Sequence, residues 1–290
     1  MPKYQSVLRD NAFADKIVLI TGGGSGIGRC TAHEMASLKA HTIIIGRKQE
    51  KLEKVVAEII EDGGSAEAFV CDIRDEEAVQ QTVRSIVEKH PIIHGLVNNA
   101  GGQFPAPLTD ITQKGWETVV RTNLTGGFLM AKEVFLQSMD KHGGAIVNIV
   151  ADMWGGMPRM GHSGAARAGM VNFTQTAAVE WAHAGVRVNA VAPGWIASSG
   201  MDSYPPEMKP WIRQLKDAVP LKRMGTEAEV SSAICFLLSE GANFISGDCL
   251  RIDGAASQGG RVVQLETADN SESYDGFHRS YTPNIFRDDQ

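Results

Sequence analysis

The chain has 290 residues, 43% of them apolar, and its 28 Lys and Arg against 34 Asp and Glu give a formal net charge of -6. That size and apolar content suffice for one α/β core without disulfide or metal staples, and an acidic balance with no basic stripe argues against a nucleic-acid surface. Cys30, Cys71, Cys235 and Cys249 show neither metal spacing nor a pairing pattern, no apolar run approaches a membrane span, and the polar start holds no targeting core. A soluble, cytoplasmic protein with reduced thiols and no metal is expected.

Taken in order, Ile17, Val18, Leu19 and Ile20 read as a buried strand. Thr21-Gly22-Gly23-Gly24-Ser25-Gly26-Ile27-Gly28 follows as a turn too glycine-dense for side chains, opening a helix that carries Ile27, Ala32 and Met35. Glycines let backbone N–H groups approach a pyrophosphate, and the helix N-terminus adds unpaired donors and the positive end of its dipole. This strand, turn and helix together make a dinucleotide cradle. A second strand is expected at 41–45, a helix on Leu52, Val55, Val56, Ile59 and Ile60, a third strand at 68–71, and a helix on Val79, Val83, Ile86 and Val87. Further strands are expected at 95–97, 145–150, 186–191 and 249–252. Between them lie long helices over 116–141 and 163–183, and a shorter one opened by the capping box Thr226-Glu227-Ala228-Glu229. Strands alternating with helices imply a single-domain, doubly wound parallel sheet, with ligands beyond the carboxyl ends of the strands.

Two stretches break the alternation. Residues 198–218 mix Pro205, Pro206 and Pro210 with Met201, Tyr204, Met208, Trp211 and Leu215, as expected of an apolar lid within a domain spanning 1–257. Residues 258–290 are polar, with Tyr274, Phe277, Tyr281 and Phe286 lacking periodicity; they form either a flexible tail or an arm docked on a neighbouring subunit. After the second strand, where a carboxylate would hold an adenine ribose, the chain has Gly46 followed by Arg47 and Lys48. A basic pair there favours a 2′-phosphate, hence NADP(H).

The spacing of Gly22, Gly26 and Gly28 after Thr21 resembles the short-chain dehydrogenase/reductase family, whose Rossmann-type fold would cover residues 14–255. The resemblance implies that Ser25 and Ile27 join the cradle and that Asp72-Ile73 contacts adenine. It also places Asn99-Ala100-Gly101 along the nicotinamide ribose, and has Pro193-Gly194-Trp195-Ile196 with Ser198 seat the carboxamide. It implies a homotetramer built on the two long helices. The family's catalysts are an asparagine, a serine, and a tyrosine and lysine four apart. Asn123 matches the first, but Val150 stands at the serine, Ser163 at the tyrosine and Arg167 at the lysine. Arg167 can still donate to the ribose.

The segments 98–104 and 162–169 look like peroxisomal trans-2-enoyl-CoA reductases and, less closely, 2,4-dienoyl-CoA reductases. In the latter the acid follows strand five, where this chain has Asp152, beside Met153 and Trp154. Carbonyl reduction needs an acid in step with hydride arrival, whereas enoyl thioester reduction needs donors for an enolate oxygen. Reduction of an enoyl-CoA-type thioester is therefore expected. A carbonyl or alcohol dehydrogenase for an acyl or terpenoid substrate, or a cofactor-binding protein without catalysis, stand as alternatives. Asn123, Asp152, Ser163 and Arg167 are the candidate catalytic residues.

Overall fold

A computed structural model describes residues 3–258 and 265–289. Seven parallel strands form one sheet in the order β3-β2-β1-β4-β5-β6-β7: β1 (Ile17–Thr21), β2 (His41–Gly46), β3 (Ser65–Val70), β4 (Gly95–Asn98), β5 (Gly144–Ile149), β6 (Val186–Pro193) and β7 (Cys249–Ile252). Side chains alternate across each strand, so Val18 and Ile20 face one helical layer while Leu19 faces the other. The first layer is α1 (Gly26–Ser37), α2 (Gln49–Glu61) and the helix Glu227–Leu238; the second is α3 (Glu76–Lys89), the 113–142 segment and the helix Gly161–Glu180. This is the expected Rossmann-type doubly wound sheet in a single domain. The third strand starts earlier than its hydropathy indicated, because Ser65, Ala66 and Glu67 lie on the sheet edge, where only one neighbour must be satisfied.

The 113–142 segment is one continuous helical rod with two wide turns. α4 (Gln113–Val120) passes through a π-helical turn (Arg121–Thr125) into α5 (Gly126–Val134), and a second π-helical turn (Phe135–Met139) leads into α6 (Asp140–His142). π turns are rare and concentrate at functional positions. The first holds Asn123.

α7 (Gly161–Glu180) follows β5. After β6 come α8 (Lys209–Gln214), within the stretch expected to be a lid, and α9 (Glu227–Leu238). α9 begins with the capping box read from the sequence: Glu229 N donates to Thr226 Oγ1 at 3.1 Å, and Thr226 N donates to the Glu229 carboxylate at 2.9 Å.

The C-terminal residues do not trail away. Residues 259–264 and 290 of the expected polar tail lie outside the described residues, but 265–289 pack on this same chain. Phe277 is buried against Tyr4, His33 and the Arg29 guanidinium. Arg279 pairs with Asp62 at 2.7 Å and Glu61 at 2.8 Å. The arm therefore has its dock within its own chain, where the sequence reading had offered a flexible tail or a neighbouring subunit.

Candidate active site

The strand order reverses between β1 and β4, and the turns leaving these two strands stand side by side at the crevice so formed. Thr21 Oγ1 accepts from Asn99 N at 3.0 Å and Ala100 N at 2.9 Å, while Asn99 Nδ2 donates to Thr21 O at 2.8 Å and Gly22 O at 3.2 Å. Thr21 and Asn99 thus lock the two turns together. Gly22 has φ +67°, and a Cβ there would lie 2.8 Å from Asn99 Nδ2 and 2.9 Å from Ala100 Cα. At Gly28 a Cβ would meet Asn99 Nδ2 at 2.3 Å and Gly22 O at 2.5 Å. Ser25 is the N-cap of α1 but makes no capping bond, so the donors of this helix N-terminus open toward the crevice.

A cleft of about 290 Å³ runs from here past Gly46 to Asp72, lined by Gly22, Ser25, Gly26 and Ile27 on one side and Asn99, Ala100 and Gly101 on another. A glycine-rich turn with no room for a Cβ at Gly22 or Gly28, opened by a helix N-terminus, fits a bound dinucleotide. At the far end Arg47 lines the cleft and is exposed, while Lys48 is the N-cap of α2 and stands outside the lining. Asp72 is held by Arg74, with Nη2–Oδ2 at 2.5 Å and Nε–Oδ1 at 2.9 Å, and this ion pair keeps its carboxyl below the usual range. Arg74 lines the same cleft and is a cation that the motif reading passed over. Ile73 edges the cleft but is mostly buried against α5, where Gly126 leaves room for it: a Cβ on Gly126 would lie 2.7 Å from Ile73 Cδ1.

The opposite end gathers three of the four candidate catalytic residues around the turn after β4. Asn123 Nδ2 donates to Gly102 O at 2.7 Å and to Val119 O at 2.9 Å, and its Oδ1 accepts from Gly102 N at 3.1 Å. Both amide protons are committed to backbone, so Asn123 positions this turn. Arg167 donates from Nη1 to Ile149 O at 2.7 Å, and a Cβ on Gly101 would sit 3.1 Å from its Nη2. Its Nε is enclosed and lacks a partner among the described residues, and no carboxylate there pairs with the guanidinium. Burial pushes its pKa down to about 10, which still leaves a cation at neutral pH. Ser163, fully buried, donates from Oγ to Gln103 Oε1 at 2.7 Å, and Gln103 Nε2 donates to Tyr204 Oη at 3.4 Å. Gln103 is the residue missed from the sequence as a site member; only its place just beyond Asn99-Ala100-Gly101 hinted at it. His162 is buried edge-on to Phe104 at 4.5 Å between ring centroids, and its Nδ1 accepts from Ser163 N.

Asp152 belongs to a different neighbourhood. Burial raises its pKa and the Asp253 carboxylate raises it further, while Arg251 opposes both. Trp154, next but one to Asp152 in the chain, lies exposed beneath the Arg251 guanidinium at 4.0 Å. Pro193, Gly194 and Ile196 are not part of the cleft lining: Pro193 O accepts from Asp152 N, Gly194 N donates to Ile252 O, and Ile196 bridges to Gly225. Ser198 does line the cleft.

Met201, Ile212 and Leu215 form a buried apolar cluster with Ile285 of the C-terminal arm, joined by Trp195, Tyr204 and Phe286. Asp202 ties the two segments, accepting from Tyr281 Oη at 2.5 Å and Asn284 N at 2.8 Å, and Arg213 Nε donates to Ile285 O at 2.9 Å.

Residues 22–257 match the family model described as enoyl-(acyl carrier protein) reductase. The chain belongs to the short-chain dehydrogenase/reductase family, whose members are oxidoreductases using NAD(P)(H). Among curated relatives it is 36% identical over 242 residues to a probable 2,4-dienoyl-CoA reductase of Bacillus subtilis, covering 82% of this chain and 95% of that one. It is 31% identical to the peroxisomal 2,4-dienoyl-CoA reductase of Danio rerio, covering 88% and 86%. Among solved structures, the citronellol catabolism dehydrogenase of Pseudomonas aeruginosa PAO1 is 62% identical with a TM-score of 0.80, over 88% of this chain and all of that one. Among the described residues no helix is long and apolar enough to cross a membrane.

Proposed function

We propose that the protein is an NADP(H)-dependent reductase of an α,β-unsaturated acyl thioester whose acyl chain is a branched, terpenoid-like hydrocarbon. The observation that carries this reading is the enclosed Arg167 guanidinium, which faces the turn at Gly101 with no carboxylate to neutralise it among the described residues. A buried cation without a counterion is unfavourable unless the ligand supplies negative charge. An enolate oxygen does so, and a fixed donor in a dry site stabilises that charge as it develops.

Bound in the cleft, the cofactor would supply hydride to the β carbon of the substrate. Asn123 would hold the turn at Gly102, Arg167 would take the enolate oxygen and the nearby ribose, and Ser163 would fix Gln103 beneath the lid. Proton return to the α carbon is assigned to Tyr204, the phenol that Gln103 tethers over the site, in preference to Asp152, whose carboxyl faces Asp253 and Arg251. Arg47, with Arg74 behind it, supports the choice of NADP(H) through its fit to a 2′-phosphate. The cluster of Met201, Ile212, Leu215, Trp195 and Met208 supports an apolar acyl chain. Free Cys30, Cys71, Cys235 and Cys249 support a reducing, cytoplasmic setting. Exposed Trp116, Phe128 and Leu136 on the 113–142 rod and Val179 on α7 support pairing of these helices in a homotetramer.

Single-turnover oxidation of bound NADPH by branched 2-enoyl-CoA thioesters tests the reading. Tyr204→Phe should slow this step without changing NADPH affinity, whereas Asp152→Asn should leave it near the parent rate. The 62% identity to a citronellol catabolism dehydrogenase favours a second reading, oxidation of a terpenoid alcohol or reduction of its aldehyde. Turnover of such alcohols or aldehydes, with none of any enoyl or dienoyl thioester, would select it.

A further inference from the structure

Three potential metal ligands meet at the end of the sheet opposite the cofactor cleft. His41 opens β2, and in the parallel register it pairs with Ser65 of β3, so Glu67, two residues on, presents its side chain on the same face. His90 is the C-cap of α3, which returns over that face. His90 Nε2 stands 2.5 Å and His41 Nε2 3.5 Å from the same Glu67 oxygen, Oε1, and one ligand atom from each of the three lies within 4.8 Å of the others. The two imidazoles are 4.9 Å apart between centroids.

We propose that His41, Glu67 and His90 bind a borderline divalent cation, Zn²⁺ in the first instance, as a three-ligand site completed by water. Two imidazoles and a carboxylate are donors suited to Zn²⁺ and poorly suited to Mg²⁺ or Ca²⁺. Tetrahedral ligands at about 2.05 Å from zinc lie roughly 3.3 Å apart. The His41–Glu67 separation already meets that spacing, and the His90–Glu67 contact reaches it by rotation of partly exposed side chains.

The surroundings are those of an oriented ligand. His41 Nδ1 lies 2.6 Å from Ser65 Oγ, an outer hydrogen bond that holds the ring with Nε2 toward Glu67. Nε2 stands 3.5 Å from Glu67 Oε1, beyond hydrogen-bond geometry among the described residues. A cation between the two would take both as ligands. Lys89 Nζ, 3.2 Å from Glu67 Oε2, would be displaced toward solvent, which its exposure permits.

Such an ion would staple the edge strand β3 to β2 and to the end of α3, remote from the reacting groups. The three ligands are 26 and 23 residues apart and meet only through register, so their spacing in the sequence carries no metal signature.

The test uses the full-length, tag-free protein, stripped with chelator, in a Cys249→Ser background because Cys249 is the cysteine that is not buried. Calorimetric titration with ZnCl₂ should give one equivalent, and His41→Gln or His90→Gln should weaken it at least about tenfold. At roughly 100 times the parent Kd, Zn²⁺ should raise the parent Tm by about 5 °C and the His90→Gln variant by at most about half as much. Co²⁺ should give visible absorption of a tetrahedral centre, lost in His90→Gln, while MgCl₂ should do nothing. Absence of Zn²⁺ binding to the parent, or a parent-like Kd in both variants, would overturn the proposal. If His41→Gln does not fold, His90→Gln carries the comparison, since His90 caps a helix at the surface.

Discussion

Replacing Arg167 by Met tests whether the enclosed guanidinium serves the reaction or the fold. The side chain volume is nearly kept, so the change removes charge and donors in place. One loss is structural: Nη1 no longer donates to Ile149 O at 2.7 Å, and an unsatisfied buried carbonyl costs roughly 1–3 kcal/mol. Against it stands the desolvation of a half-buried cation with no carboxylate partner among the described residues, a comparable penalty that the variant escapes. The two offset, and the folded protein should unfold close to the parent Tm. Catalysis has no such compensation. Loss of a fixed donor at a developing oxyanion is worth about 2.7–4 kcal/mol, or roughly 10²–10³ in rate. Single-turnover oxidation of pre-bound NADPH by an enoyl thioester isolates the step, and Arg167→Lys, which keeps the charge but loses the fork, should fall between. A parent-like rate in Arg167→Met, or a collapse of Tm with rate retained in the folded fraction, would refute the role assigned here.

Gly28→Ala would place a methyl 2.5 Å from the backbone oxygen of Gly22 and 2.3 Å from Asn99 Nδ2, so NADPH titration should show binding lost, with a stability loss of roughly 1–3 kcal/mol in chemical denaturation. Arg47→Asp sets a carboxylate where a 2′-phosphate would lie, and the ratio of NADPH to NADH dissociation constants should invert; an unchanged ratio would discard the cofactor assignment. Glu227 gives a pH signature: burial pushes its pKa from 4.5 up to about 7, with Asp275 adding to the rise and Arg29 and the Ser199 N–H opposing it. The folded protein therefore binds more protons than the unfolded chain between these values, and stability falls as pH rises through that window by up to about 3 kcal/mol. Glu227→Gln should flatten the fall and raise Tm at pH 8; a parent-like pH profile in the variant would place the carboxyl's titration elsewhere.

The parts of this architecture that could be read from the sequence are those whose physics is local. Val18, Ile20 and Leu19 alternate between layers because a strand has period two. Thr226 and Glu229 cap α9 through bonds three residues apart, and Gly22 and Gly28 announce a turn in which no Cβ fits. The rest depends on juxtaposition. Gln103 enters the site because Ser163, sixty residues later, turns its hydroxyl onto it, and Asn123 is placed by a π turn that ordinary helical periodicity does not signal. Trp154 stands close to Asp152 in the chain, yet Arg251, almost a hundred residues on, covers its face.

The C-terminal arm shows the same division at larger scale. Phe277 and Ile285 show no periodicity because each packs singly, Phe277 against α1 and Ile285 against Met201, Ile212 and Leu215, and such contacts leave no local pattern. The consequence reaches the site. Asp202, inside the lid, is bound by Tyr281 and Asn284, and Arg213 of α8 donates to Ile285 O, while two residues beyond Asp202 stands Tyr204, the phenol held by Gln103. Two residues before Tyr281 the arm is anchored by Arg279 on Glu61 and Asp62, at the C-terminal end of α2. The segment that carries Tyr204 is therefore held by residues about eighty further along the chain. Residues 198–218 read alone give an expectation of a lid; the contacts that fix the segment come from the arm.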